Sequence, residues 1–154
     1  MGRVGKTSLL YDLASTQPVS GKYHGGGEYG KHVFEELLRR RDSQQVHAYW
    51  DPDRWLDPKI EILLEQEEIA VHEVRNQKTL QDLLDDTQFD RFYSPLPYDL
   101  QGLDLRETVF ICTIHGLRPI EMPTDWYEYK YRKGIRGWGK YVAKQLFSSS
   151  YVAR

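Results

Sequence analysis

Ser8-Leu9-Leu10-Tyr11-Asp12-Leu13, and a few residues later Gly21-Lys22-Tyr23-His24-Gly25-Gly26-Gly27-Glu28-Tyr29-Gly30, form the stretch that decides the fold. Its first part reads as a hydrophobic strand. A polar loop and a run of three glycines follow, and then a helix. Gly30, Val33, Phe34, Leu37 and Leu38 recur at the i, i+3, i+4, i+7, i+8 spacing of a helix packed on a sheet. A glycine-rich turn between strand and helix lets backbone approach a ligand closely, with N–H groups of the helix start aimed at it. Such a turn suits an anion, most often a phosphate or diphosphate. A plain surface loop would carry the same glycines, and the local pattern leaves both readings open.

Strand and helix signals alternate through the rest of the chain. Val46-His47-Ala48-Tyr49-Trp50 reads as a short strand. Asp57-Pro58 starts a helix, with Asp as N-cap, Pro in the first helical position, and Ile60, Leu63 and Leu64 on the apolar face. Ile69–Val74 is the next strand, and Thr79-Leu80-Gln81-Asp82 has the form of a capping box opening a helix with Leu80, Leu83 and Leu84 inward. A weak strand around Arg91-Phe92-Tyr93 precedes the breaker-rich loop 94–99. Thr108–His115 is the most apolar strand and reads as the middle of a parallel sheet covered on both faces.

This alternation predicts an α/β fold, a doubly wound and mostly parallel Rossmann-like sheet with helices on both faces. It predicts one domain over residues 1–154, with 1–7 as an irregular lead-in. Ligands of such sheets lie beyond the carboxyl ends of the strands, where residues 16–30 and 115–123 both fall.

The net charge of −2 predicts no general attraction to nucleic acid or anionic membrane. Cys112, inside Val109-Phe110-Ile111-Cys112, reads as a small core residue and fits a reducing compartment. No apolar run approaches the roughly 20 residues that span a bilayer, and the N-terminus lacks the apolar block of a signal peptide. The expected location is the cytoplasm.

Gly5-Lys6-Thr7-Ser8 has the ending of a phosphate-binding P-loop, and Asp99-Leu100-Gln101-Gly102 fits D-x-x-G. The first glycine of a P-loop would fall before Met1, however, and no strand precedes the motif. A truncated P-loop GTPase is thus a disfavoured alternative. His115, followed by Gly116, closes the most apolar strand. A neutral imidazole there can donate to a substrate hydroxyl or phosphate, and a protonated one can offset developing negative charge. A histidine satisfied by backbone is the competing reading. His24 lies beside the glycines, while His32, His47 and His72 read as helix-surface or strand residues. No H-x-x-x-H or C-x-x-C spacing occurs, so no protein-held metal is expected. Residues 126–154 interleave Lys130, Arg132, Lys133, Arg136, Lys140, Lys144 and Arg154 with aromatics, against the single acid Glu128. The aromatics read as core with the cations on a solvated face; weak peripheral membrane contact, or a grip on an anionic acceptor, is the alternative.

Leu10–Pro18, His24-Gly25-Gly26-Gly27-Glu28-Tyr29-Gly30 and Thr113-Ile114-His115-Gly116-Leu117-Arg118 resemble the N-terminal half of a GT-B-type retaining glycosyltransferase of the large glycogen-synthase-like class. The resemblance covers about residues 8–154. It implies an acceptor-side domain of an enzyme that moves a hexosyl group from a nucleoside diphosphate sugar, its co-substrate, to an acceptor hydroxyl. Gly25, Gly26 and Gly27 would take the donor-diphosphate loop, His115 the contact to the transferred sugar, and His24 and Arg118 acceptor or anion contacts. No other cofactor is implied, and metal-independent chemistry is expected, with positive donors neutralising the leaving diphosphate. Such enzymes carry a second, C-terminal donor-binding domain with a glutamate pair. The chain is therefore expected to be a fragment, inactive alone and active at full length. A non-catalytic sugar- or anion-binding module is the alternative from a different class.

Overall fold

Alternation of large apolar residues along the strands determines which side of the sheet each helix covers. The computed structural model describes residues 7–18, 25–41, 44–97 and 100–115. In chain order these form β1 (Ser8–Asp12), a 3-10 turn (Ala14–Thr16), α1 (Gly25–Arg40), β2 (Gln45–Trp50), α2 (Pro58–Gln66), β3 (Ala70–Glu73), α3 (Gln77–Asp86), β4 (Arg91–Ser94) and β5 (Val109–Cys112). The five strands make one sheet in the order β3-β2-β1-β4-β5, and every pairing is parallel. This is the doubly wound α/β, Rossmann-like architecture. Apart from His115, the described residues belong to one unit, Met1–Ile114.

On one face, Tyr11, Val46 and Ala48 meet Phe34 and Leu38 of α1 and Ile60 and Leu64 of α2. On the other, Leu10, Tyr49 and Phe92 meet Leu80 and Leu84 of α3. Period-2 alternation in the strands feeds both cores. Each fully buried Leu or Phe contributes about 1.5–3 kcal/mol relative to exposure.

The helix starts follow from their first residues. Asp57 caps α2, its carboxylate accepting from the Lys59 amide at 3.0 Å, with Pro58 in the first turn. The second oxygen of Asp57 meets Lys31 Nζ at 2.6 Å; Lys31, buried on α1, also pairs with Glu28 at 2.6 Å. That ammonium holds the Asp57 carboxyl below its usual range, mainly by direct hydrogen bonding. The cap of α3 departs from expectation. Asn76, not Thr79, is the N-cap, accepting from the Thr79 amide at 3.0 Å while Thr79 Oγ1 accepts from the Asn76 amide at 3.1 Å. Thr79 is the reciprocal partner within the helix, because Asn offers the better cap acceptor three residues earlier.

Two further expectations are corrected at β5. The strand stands at the outside of the described sheet rather than in its middle, and all four of its residues are exposed. Cys112 is accordingly exposed, not a core residue. The physical reason is the connection. Residues 95–108 return beside β4 without a helix among the described residues, so no crossover helix is laid over β5. Leu100, Leu103 and Leu105 of that connection pack on the α3-side core instead.

Ser8 begins β1, where a P-loop would begin a helix. Its amide and hydroxyl donate to Asp90 Oδ2 at 2.7 and 3.0 Å, at the amino end of the sheet. That arrangement opposes the GTPase alternative. Residues 1–6 and the basic, aromatic segment 126–154 lie outside the described residues. Among the described residues no helix is long and apolar enough to cross a membrane.

Candidate functional site

The strand order reverses at β1: β2 and β3 lie to one side of it, β4 and β5 to the other. The crevice between the carboxyl ends of β1 and β4 is where open parallel sheets bind ligands. Two polar side chains close it. Ser94 Oγ, at the end of β4, donates to Asp12 Oδ2, at the end of β1, at 2.6 Å. The Ser15 amide donates to Asp12 Oδ1 at 2.9 Å, and the Tyr49 hydroxyl hydrogen-bonds the same carboxyl group. Asp12 and Ser94 are both buried. Burial pushes the Asp12 carboxyl up from the usual carboxylate range, and the hydrogen bonds from Ser94, Ser15 and Tyr49 partly offset that push. The Tyr49 hydroxyl is raised well above its ordinary value by the same burial, and further by Asp12.

Gln17 joins this crevice to the loop after β2. Its Nε2 donates to the Asp51 carbonyl at 3.0 Å, and its Oε1 accepts from the Asp51 amide at 2.8 Å. The Asp51 carboxylate in turn accepts from the Asp53 amide at 3.0 Å and pairs with Arg54 Nε at 2.9 Å. Between this loop, the end of β1 and the start of α3 lies a cavity of about 400 Å³. Arg54, Arg75, Asn76 and Gln77 supply much of its polar lining, while Leu80, Leu96 and Leu100 supply apolar surface.

Gly25, Gly26 and Gly27 form the first turn of α1 rather than a turn ahead of it. A helix leaves its first amides without intrahelical acceptors, so the glycines still present backbone donors at the helix start. They are not equivalent. A Cβ on Gly26 would meet the Leu96 side chain at 2.7 Å, whereas one on Gly25 would meet nothing within 4 Å. Gly30 is a packing glycine, since a Cβ there would meet Thr16 at 2.7 Å and Pro95 at 2.8 Å. Its carbonyl accepts from the Tyr11 hydroxyl at 2.7 Å, which fixes α1 against β1.

His115 is exposed and follows β5 by three residues. The strand end before it is tied to β4: the Thr113 amide donates to the Ser94 carbonyl at 3.3 Å, and Tyr93 Oη and Thr113 Oγ1 are 2.7 Å apart. The glycines and His115 thus follow different parallel strands, β1 and β5. His24 and Arg118 lie outside the described residues.

Sequence reasoning passed over Asp12, Ser94, Tyr49 and Gln17. The one available signal was Asp12, an acid terminating an otherwise apolar central strand at the ligand edge. It also overlooked that Asp51-Pro52-Asp53 has the D-x-D spacing of a divalent-cation motif. Here Asp51 is paired with Arg54, and Asp53 lies 3.5 Å from Arg75 Nε. Among the described residues no group of three or more His, Cys, Asp or Glu is placed to hold a metal ion. No protein family, curated protein or solved structure matches this chain.

Proposed function

We propose that the chain is the acceptor-side domain of a cytoplasmic glycosyltransferase that moves a hexosyl group from a nucleoside diphosphate sugar to an acceptor hydroxyl. In this reading the start of α1, at Gly25, Gly26 and Gly27, lies against the donor diphosphate. His115 contacts the transferred sugar, and His24 and Arg118 serve acceptor or anion contacts. A second, donor-binding domain completes the enzyme.

The observation that carries the reading is Gly25. It opens the helix after the central strand at the ligand edge, and the space its missing side chain leaves is empty among the described residues. Among the described residues packing explains Gly26 and Gly30 but gives no reason for glycine at Gly25. Close approach of a diphosphate to the helix start does.

The test uses the full-length enzyme of this reading, assayed for transfer from a panel of nucleotide sugars. Gly25→Ala should fold with an unchanged Tm and lose donor affinity by about tenfold or more, because a methyl group displaces the diphosphate from the amides. His115→Ala should lower turnover with little change in Tm. Unchanged donor kinetics in Gly25→Ala would sink the proposal.

A further inference from the structure

The cavity at the carboxyl ends of β1, β2 and β3 has no part in the donor-side reading of the glycines and His115. Its chemistry is specific. Arg54 and Arg75 line it, and guanidinium groups at a ligand edge ordinarily suggest phosphate. Here both are already answered. Arg54 is held by Asp51, and Arg75 lies 3.5 Å from Asp53 and 3.4 Å from Glu73. Among the lining groups the carboxyls of Asp12 and Asp51 equal the two guanidiniums in number, and Asp53 and Glu73 beside Arg75 add two more carboxylates. A phosphate entering it would meet guanidiniums already paired with carboxylates and would gain little from them.

What remains are hydrogen-bonding groups of both kinds. The Asn76 side-chain oxygen is used by the Thr79 amide, which leaves its Nδ2 as a donor. Gln77 Nε2 is used by the Gln101 carbonyl, which leaves its Oε1 as an acceptor. Donors and acceptors placed together match hydroxyls, which act as both. Leu80, Leu96 and Leu100 supply the apolar surface on which the C–H face of a ring can lie. The volume of about 400 Å³ falls within the range of small-molecule sites.

We infer that this cavity binds an uncharged, hydroxyl-rich molecule, a sugar or polyol, and rejects its phosphorylated form. The inference rests on the transferase reading only in making that molecule the acceptor; binding itself does not require the transferase.

The test is calorimetric and NMR titration of residues 1–154 with neutral methyl hexosides and disaccharides, each beside the corresponding sugar 6-phosphate. A neutral glycoside should bind saturably and shift the backbone amides of Arg54, Arg75 and Asn76, and its 6-phosphate should bind about tenfold or more weakly. Asn76→Asp keeps a good N-cap oxygen for α3 but replaces the Nδ2 donor with a charged acceptor. It should retain the Tm and lose glycoside binding. Asp53→Asn with Glu73→Gln, both at exposed positions, frees Arg75 and should narrow or reverse the discrimination against the 6-phosphate. Tighter binding of the phosphate by the unaltered chain would overturn the inference. So would glycoside binding indifferent to Asn76→Asp, or no saturable binding of any glycoside in the panel. Glycoside binding in a protein with no transfer activity leaves the cavity standing and the transferase reading fallen. Transfer unaffected by Asn76→Asp does the reverse.

Discussion

β1 and β5 are short apolar strands running the same way in one sheet, and their surroundings are opposite. Leu10 and Tyr11 of β1 are 0% exposed, whereas Val109 of β5 is 58% exposed and Ile111 40%. Both segments contain enough apolar side chain to sit in the middle of a parallel sheet. Their connections separate them. β1 has α1 over one face, with Tyr11 and Phe34 ring centroids 4.8 Å apart, and the α3 cluster over the other. β5 arrives through residues 95–108, which cover part of the α3-side core but not β5 itself. Apolar content says that a strand can be covered; crossover helices decide whether it is.

The largest effect should come from the covered strand. Leu10→Ala removes a fully buried side chain between β1 and α3 and should cost about 2–5 kcal/mol in urea-unfolding stability, as large-to-small core changes do. A loss below about 1 kcal/mol would erase the distinction between the two strands.

The opposite edge of the sheet sharpens the contrast by being polar. His47 Nδ1 of β2 lies 3.1 Å from His72 Nε2 of β3, and the two rings stack at 5.4 Å. Burial lowers both imidazoles below 6.5, and His72 lowers His47 further. The folded protein therefore takes up these protons at lower pH than the unfolded chain does. Their effect on stability is absent above about pH 6.5 and becomes a growing loss as pH falls below it. Thermal unfolding between about pH 8 and pH 5 should show that decline, and His47→Gln with His72→Gln should flatten it. An unchanged pH profile in the double variant would place the dependence elsewhere. The smallest effect belongs to the exposed strand: Val109→Thr keeps shape and β-branching and should change unfolding stability by no more than about 0.5 kcal/mol.

The fold was legible because its signals are local. Stripe spacing placed α1, Asp57-Pro58 placed α2, and alternation placed β1 to β4 within a residue or two, whereas β5 ends at Cys112, three residues before the expected His115. The order of strands was not legible at β5, since an edge position depends on what the connecting chain covers. The cap of α3 was misplaced by three residues because Asn76 and Thr79 both carry cap chemistry, and only the backbone shows which accepts first. The site was legible in part. A triplet of glycines announces itself, but their separate tasks depend on Leu96, Thr16 and Pro95, which are remote in sequence. The Asp12–Ser94 contact was invisible for the same reason: each residue is unremarkable until β4 lies beside β1.

Two contacts fix that neighbourhood, Ser8 to Asp90 at one end of β1 and Ser94 to Asp12 at the other, each spanning 82 positions of chain. During synthesis, then, the central strand of the sheet is for a time its rim. Until Arg91–Ser94 leaves the ribosome, β1 can pair with β2 alone, and the backbone groups on its other side have no partner. The ligand edge is completed late because the second wall of its crevice is encoded after three helices. A translational pause before β4 would leave the nascent chain bare along the edge that β4 covers in the finished domain, which makes that interval the one in which an unpaired strand edge is most open to wrong pairing.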